Sequence, residues 1–414
     1  MHKSIALIVL LKNLSTGILA SVLSLALLQH GGSIQTISLL LGLYSFTVIL
    51  TEFPSGVFAD LYGRKTSFLL SAALCFVSYC VFLVSQSVGV LCLALVLNGL
   101  GRAFASGSID ALAIDQAGAH GQSLEWVTSR LAMLESAGLA LGALLGGVLS
   151  GIGSRYLGNI GVNAGIHVLL FFLTAVFVHE APRERPQAVV SGSLRSFFSQ
   201  AGKSLAFLKQ RGTIRILTVF ALLTGFALSS VETYWQPALQ GMQPVYWIYG
   251  AVSFSGFAFV MGGSWLAERL LQRSAARGVA LLLAIKALLG ISLLLLFFPK
   301  GQFAFIAVYL VIYAVVGSGS VTENTLLNRL VPSSHRAGVL SLASLILQLG
   351  GLLAALCGYF VSTYSHFQAM WLIAGAALIV CALVCALLPS RQSQPVEPEW
   401  ANDSTESALP DGVK

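Results

Sequence analysis

The ionisable side chains inside long apolar stretches that stand as candidates are Glu52, Arg102, Glu135, Lys286 and Glu323 away from the stretch ends, with Asp110 and Glu232 nearer the edges. A charge at the centre of a bilayer costs on the order of 2.5–3.5 kcal/mol on insertion scales, so each is a functional hypothesis by default. A carboxylate there can take up and release a proton, an affinity that burial raises and a nearby arginine lowers. Arg102, within Asn98-Gly-Leu-Gly-Arg-Ala-Phe-Ala-Ser-Gly107, is expected to meet Glu52 or Glu135 on a neighbouring helix. Glu52, Arg102, Glu135 and Glu232 are therefore the proton-coupling candidates. Glu232 is followed by Tyr234 and Trp235, and an acid beside aromatic rings can attract an organic cation through charge and cation–π contact. Glu232, Tyr234, Trp235, Lys286 and Glu323 are accordingly the substrate candidates. An aromatic belt at the membrane interface accounts for Tyr234, Trp235, Tyr246, Trp247 and Tyr249 without any substrate. Lys286 either faces a lumen or pairs with Glu323.

Such residues imply a scaffold that lives in lipid. The chain has 414 residues, 56% of them hydrophobic and only 9% charged, with a mean hydropathy of +0.85. Soluble chains average about 25% charged residues, so the polar surface needed to face water on all sides is missing. Disorder, a secreted disulfide scaffold and nucleic-acid binding are excluded as main themes; the net charge of +7 does not point to a nucleic-acid partner, because the basic residues sit in short loops between apolar runs. A helix needs about 20 apolar residues to cross a bilayer. Twelve stretches qualify, near 5–28, 34–57, 67–85, 89–110, 128–150, 160–178, 214–236, 245–267, 278–298, 302–325, 339–362 and 367–388. The first is a span rather than a signal peptide: Lys12 and Asn13 interrupt it and no small-residue cleavage site follows. Placing the N-terminus in the cytoplasm puts 18 of the 23 Lys and Arg on that side and only Arg155 and Lys300 outside. The positive-inside rule then sets both termini in the cytoplasm.

The longest polar segment between spans divides them six and six. The expected organisation is an N-terminal six-helix bundle over 1–180, a linker over 181–213, a C-terminal bundle over 214–390 and a disordered tail over 391–414. The linker's later part mixes Phe197, Phe198 and Leu205 with Arg and Lys, which fits a basic amphipathic helix on the inner membrane face. The halves echo each other: Ser106-Gly-Ser108 recurs as Ser318-Gly-Ser320. Paired helical repeats are a transporter signature, with substrate bound at mid-depth between them. In the fifth span Gly138, Gly142 and Gly146 recur every fourth residue, followed by Gly147, a stripe that lets another helix backbone approach closely. The six cysteines lie in apolar spans without a CxxC pair, so neither a disulfide framework nor a metal site is indicated. No HExxH or phosphate-cradling Gly-Lys motif occurs, and the chain does not read as an enzyme.

The stretch Gly56-Val-Phe-Ala-Asp60-Leu-Tyr-Gly63-Arg64-Lys65 resembles the signature loop between the second and third spans of the major facilitator superfamily. The likeness covers roughly residues 5–390. It implies an all-α integral membrane fold of twelve helices in two pseudo-symmetric six-helix bundles, with this loop latching the cytoplasmic side shut when the cavity faces outward. Physically, Gly63 permits a tight turn, Asp60 can face a helix N-terminus and Arg64 can fork onto a carboxylate. The family pattern pairs Arg64 with Asp110 or Asp115. Arg102 resembles the basic residue that proton-coupled members carry in the fourth span, although the glycine after it sits one place further on. The glycine stripe resembles the fifth-span motif GxxxGPxxGG of family antiporters, with Ala143 in place of the proline. The expectation is a multi-pass transporter of the plasma or inner membrane, resembling the drug/proton antiporter-like efflux group. It would export a small organic molecule against proton entry, draw on the proton gradient with no cofactor, and work as a monomer. Uptake by symport or uniport of a small metabolite or lipid-like substrate is the alternative.

Overall fold

The computed structural model describes residues 3–106, 108–119, 122–180, 212–273, 278–331 and 333–387. The expected linker helix and C-terminal tail lie outside them. Among the described residues there is no strand. The helices in order are α1 (Lys3–Ala20), α2 (Leu23–Gln29), α3 (Ile34–Tyr62), α4 (Arg64–Val84), α5 (Val88–Ala105), α6 (Ile109–Ala119) and α7 (Leu124–Leu149), then α8 (Leu157–Phe177), α9 (Gly212–Gln240), α10 (Ile248–Arg273), α11 (Gly278–Leu296), α12 (Gln302–Leu330), α13 (Ser333–Tyr364) and α14 (Ala369–Leu387). Among the described residues, twelve helical stretches are long and apolar enough to cross a bilayer.

Two expected spans are broken. The first divides into α1 and α2, and the fourth into α5 and α6. Serine hydroxyls sit at both breaks and bond back to the helix: Ser21 Oγ donates to the Ile18 carbonyl at 3.0 Å, and Ser108 Oγ to that of Phe104 at 2.6 Å. Such back-bonding competes with the helical ladder and bends it. The first break is also bridged from outside. The Gln236 side chain of α9 accepts from the Ser24 N–H at 2.9 Å and donates to the Ala20 carbonyl at 2.8 Å.

Packing partners repeat after six spans. α1 lies against α7 as α9 lies against α13; α3 against α5 as α10 against α12; α4 against α8 as α11 against α14. This is the two-bundle architecture, joined where α3 meets α13 and α7 meets α10. Small residues make the closest approaches. A Cβ at Gly142 or Gly146 would collide with the α1 carbonyls of Leu14 and Ile18, and one at Gly138 would sit 2.7 Å from that of Leu10. Gly225 and Gly350 do the same work between α9 and α13. Gly147 faces differently: a Cβ there would lie 2.8 Å from the Gly250 backbone of α10, across the two bundles.

Helix direction puts Lys3, Arg64, Lys65, Arg130, Arg215, Arg269, Arg273 and Arg329 at one end of the molecule, here the basic face; the opposite end is the far face. The bundles are knitted together toward the far face. Besides the Gln236 bridge, Gln35 Nε2 donates to the Ser362 carbonyl at 3.4 Å and Ser150 Oγ to that of Tyr246 at 3.2 Å. Gly42 packs on Ala355 and Gly151 on the Tyr246 ring. One hydrophobic core runs through both bundles at these contacts, while a second, built on Ile5, Ile8, Phe68, Leu112, Val127 and Leu170, belongs to the N-terminal bundle alone. Toward the basic face a cavity of about 220 Å³ opens between α9, α12 and α13.

Candidate transport pathway

The cavity wall is mixed in character. Leu217, Ala221, Leu327, Val339 and Leu347 supply apolar surface, and Thr218, Ser320, Glu323, Asn324 and Ser344 supply hydrogen-bonding groups. Lys286 of α11 stands behind it, 1% exposed. Its ammonium pairs with Glu323 Oε1 at 2.7 Å, donates to Thr224 Oγ1 at 2.6 Å and lies 6.0 Å from the centre of the Phe220 ring. Of the two placements open to Lys286, the structure takes the inward pair. Three helices are tied at one buried charge, and Glu323 keeps part of its surface on the cavity.

Glu232 lies further along α9, outside the lining of this cavity. On α9 the positions 218, 221, 225, 228 and 232 form one face, because steps of three and four residues return to the same side of a helix. Thr218 and Ala221 of that face line the cavity. Val219, on the other side, is an exposed apolar residue suited to lipid. Glu232 is exposed although Val231, Thr233, Tyr234 and Trp235 around it are buried. Gly225, on the same face, is packed against the Leu347 backbone of α13, between the cavity and Glu232.

The aromatic residues separate into two groups. Tyr246 and Trp247 are more than half exposed, as an interfacial belt requires. Tyr234, Trp235 and Tyr249 are buried, so the belt does not explain them. Trp235 packs against Tyr309 with ring centres 4.9 Å apart, and Tyr309 against Tyr313 at 4.6 Å. Tyr234, two residues and 200° of helix rotation from Glu232, stacks instead on Phe367 at 5.2 Å and abuts Gly358 near Ser38. It belongs to the far-face contact rather than to the cavity.

In the N-terminal bundle the expected partners of Arg102 are not met. Its side chain is exposed on the face of α5 opposite the exposed Leu93, and it forms no ion pair with Glu52 or Glu135. Ser106 Oγ approaches Glu52 Oε1 at 3.5 Å instead. Glu135 is out of range because α7 packs on α1 and α10, not on α5. A pair that the sequence did not single out ties this bundle: Lys12 of α1 to Asp110 of α6 at 3.1 Å. Each bundle thus carries a lysine–carboxylate pair whose acid comes from its fourth span. Asp110 being taken, Arg64 pairs with Asp115 at 2.6 Å.

The signature loop closes on its own bundle. Gly63 adopts φ +94°, a backbone that side chains resist, and breaks the chain between α3 and α4. The N-terminus of α4 is not faced by Asp60, which is exposed. Glu180 takes that place, accepting from the Arg64 N–H at 3.0 Å and the Lys65 N–H at 2.8 Å. A carboxylate there satisfies orphan N–H groups and opposes the helix dipole. Lys65 Nζ donates to the Ala175 carbonyl at 2.9 Å, at the end of α8. Gly56 is exposed, with open space where a Cβ would be. The sequence does not disclose this cap, because an acid at the start of a Pro-rich linker carries no local signal for a helix 115 residues away.

Comparison with known proteins agrees with this architecture. The family described as Major Facilitator Superfamily matches residues 5–322 and 247–410. The "Uncharacterized MFS-type transporter YxaM" of Bacillus subtilis (strain 168) is 21% identical over 388 residues, covering 92% of this chain and 94% of that protein. Among solved structures, the nucleoside transporter NupG superposes with a TM-score of 0.76 at 13% identity, over 92% of this chain and 97% of its own. A POT family transporter in complex with 5-aminolevulinic acid gives 0.74 at 11% identity, over 92% and 94%. With the family matched along nearly its whole length, this chain is a member of the major facilitator superfamily, a multi-pass membrane transporter.

Proposed function

We propose that the chain is a proton-coupled efflux transporter that exchanges a small organic molecule for protons by alternating access. The observation that carries this reading is the combination of bundles knitted at the far face with a cavity open at the basic face, which has Glu323 on its wall, and a second acid, Glu232, exposed further along α9. Glu323 is held by Lys286. Glu232 has no described lysine or arginine within salt-bridge range and stands close to the far-face seal, so rocking of the bundles changes which side it meets. It is the acid best placed to carry the proton; Glu52 and Glu135 are the remaining carriers, and Arg102 tunes Glu52 as the bundles close. The basic face is the cytoplasmic one, both termini lie there, and the protein works as a monomer in the plasma or inner membrane with no cofactor.

The test is proton movement in proteoliposomes holding a trapped pH dye, with drugs and metabolites added in turn. Efflux coupling requires at least one solute to drive proton counterflow, and Glu232→Gln to abolish it. Unchanged flux in the triple Gln variant at 52, 135 and 232 would refute carboxylate coupling. A second reading, proton symport of a polar metabolite, draws support from the Thr218, Ser320, Asn324 and Ser344 lining. Co-directional proton movement would establish it.

A further inference from the structure

We infer that His30 is a proton-binding site that fastens the far-face contact between the bundles. Its ring lies at the far end of α2, 1% exposed, and both ring nitrogens meet backbone carbonyls. Nδ1 faces that of Ser85 at 3.2 Å and Nε2 that of Arg155 at 2.8 Å. A carbonyl oxygen can only accept, and a neutral imidazole carries one N–H where the imidazolium carries two. The ring therefore makes both bonds only while it holds a second proton. Losing that proton turns one bond into a meeting of two acceptors, which is costly away from water.

The two carbonyls belong to segments on which the closure depends. Ser85 follows α4; its hydroxyl donates back to the His30 carbonyl at 3.4 Å, and Gly31, at φ +104°, packs on the Gln86 backbone. Arg155 lies in the α7–α8 connection, where Arg155 and Tyr156 hold φ of +54° and +60° although neither is glycine. Such backbone persists only where its surroundings impose it, and the bond to His30 is one of those constraints. The same connection meets the other bundle, through Ser150 Oγ on the Tyr246 carbonyl and Gly151 against the Tyr246 ring. A proton on His30 holds this connection in place, and its loss releases it. No acid competes for the role. From α4, Phe82 meets the imidazole edge-on at 5.2 Å, with Tyr79 one turn below. The α7–α8 connection adds the Tyr156 phenol and the exposed Arg155 guanidinium. Two helices pack on α2: α9 brings Glu232 and Tyr234, while α3 has its first acid, Glu52, about 27 Å from its far-face start. Among the described residues no carboxylate pairs with His30. The carbonyl dipoles answer the added charge, and the inference holds for efflux and uptake alike.

The experiment takes the full-length protein in nanodiscs at about pH 5.5 and about pH 8, either side of the ordinary imidazole value of about 6.5. Nitrogen NMR with labelled histidine reads the ring, its signals assigned by their loss in His30→Gln. The expected result is two protonated nitrogens at the lower pH and one at the higher. Spin labels at Ser154 and Ser365, on a background lacking the native cysteines, read the far-face contact. Raising the pH should lower the ratio of short to long distances about tenfold, the scale of one hydrogen bond from a charged donor. His30→Gln keeps an N–H at every pH and should hold the short distance throughout; His30→Phe has none and should hold the long one. A ring with one proton at both pH values, or a distance response unchanged in both variants, would overturn the inference. A response abolished by Glu232→Gln but intact in the His30 variants would also overturn it, while leaving the transporter reading standing. A response that needs His30, in a protein showing no solute-driven proton flux, would support the site and count against the transporter reading alone.

Discussion

At the scale of single residues, buried charges divide by whether they have a partner. Lys286 is surrounded by Glu323, Thr224 and the Phe220 ring. Removing one member of a buried pair leaves the other uncompensated at a cost of about 3–5 kcal/mol, whereas removing both can be close to neutral. Lys286→Met should therefore lower stability by about that amount, and Lys286→Met combined with Glu323→Leu should recover most of the loss in denaturation midpoints. Equal destabilisation by single and double variants would mean that the pair holds no mutual compensation. Glu180 acts at the same scale on a helix start. Glu180→Ala should cost about 0.5–2 kcal/mol, the usual range for a lost cap, and hydrogen exchange should rise at the amides of Arg64 and Lys65. These two residues also mark how far sequence reading reaches. The sequence leaves Lys286 two placements, a lumen or Glu323, because two opposite charges in lipid have few other ways to coexist, and the pair is the one adopted. The Glu180 contact was not, since a cap supplied from 115 residues away leaves no periodicity or spacing behind.

At the scale of elements, the broken first span is the most consequential departure from expectation. Apolar length alone predicts one helix over 5–28, and nothing in Ser21-Val-Leu-Ser24 demands a break. The break becomes acceptable because Gln236 of the other bundle serves both freed groups, one as acceptor and one as donor. Gln236→Leu would strand the Ala20 carbonyl and the Ser24 N–H, at about 1–3 kcal/mol for each buried group left unsatisfied. Because the bridge joins the bundles at the far face, that loss should weaken the far-face closure in particular. A cysteine placed at Ser38 should then react faster with an impermeant maleimide in Gln236→Leu than in the parent. Unaltered labelling would mean that the bridge only repairs the helix. The glycine stripe, by contrast, was legible, since a four-residue period has a direct meaning on a helix. Its last member was not: Gly147 turns to Gly250 and serves the contact between bundles, a role that only the three-dimensional arrangement discloses. Gly142→Val should disrupt α1–α7 packing by more than the about 1–3 kcal/mol typical of an added methylene, because the obstacle is the Leu14 backbone rather than a movable side chain.

At the scale of the whole molecule, span count, basic-residue asymmetry and repeated halves all follow from hydropathy and charge placement. Which face is closed does not, because both states of a rocking transporter satisfy the same apolar pattern. The described arrangement pairs α3 with α13 and α7 with α10 toward the far face and leaves the cavity beside Glu323 open toward the basic face. Alternating access demands a second arrangement in which these relations exchange. The direct measurement is pulsed electron–electron distance spectroscopy in nanodiscs, on a background lacking the six native cysteines. One spin-label pair spans the basic face at Thr66 and Gln272, the other the far face at Ser87 and Ser365. The account predicts that a shift of pH from 8 to 5, or addition of a transported solute, shortens one distance as it lengthens the other. Distances that stay fixed under every condition, or that grow and shrink together, would contradict it.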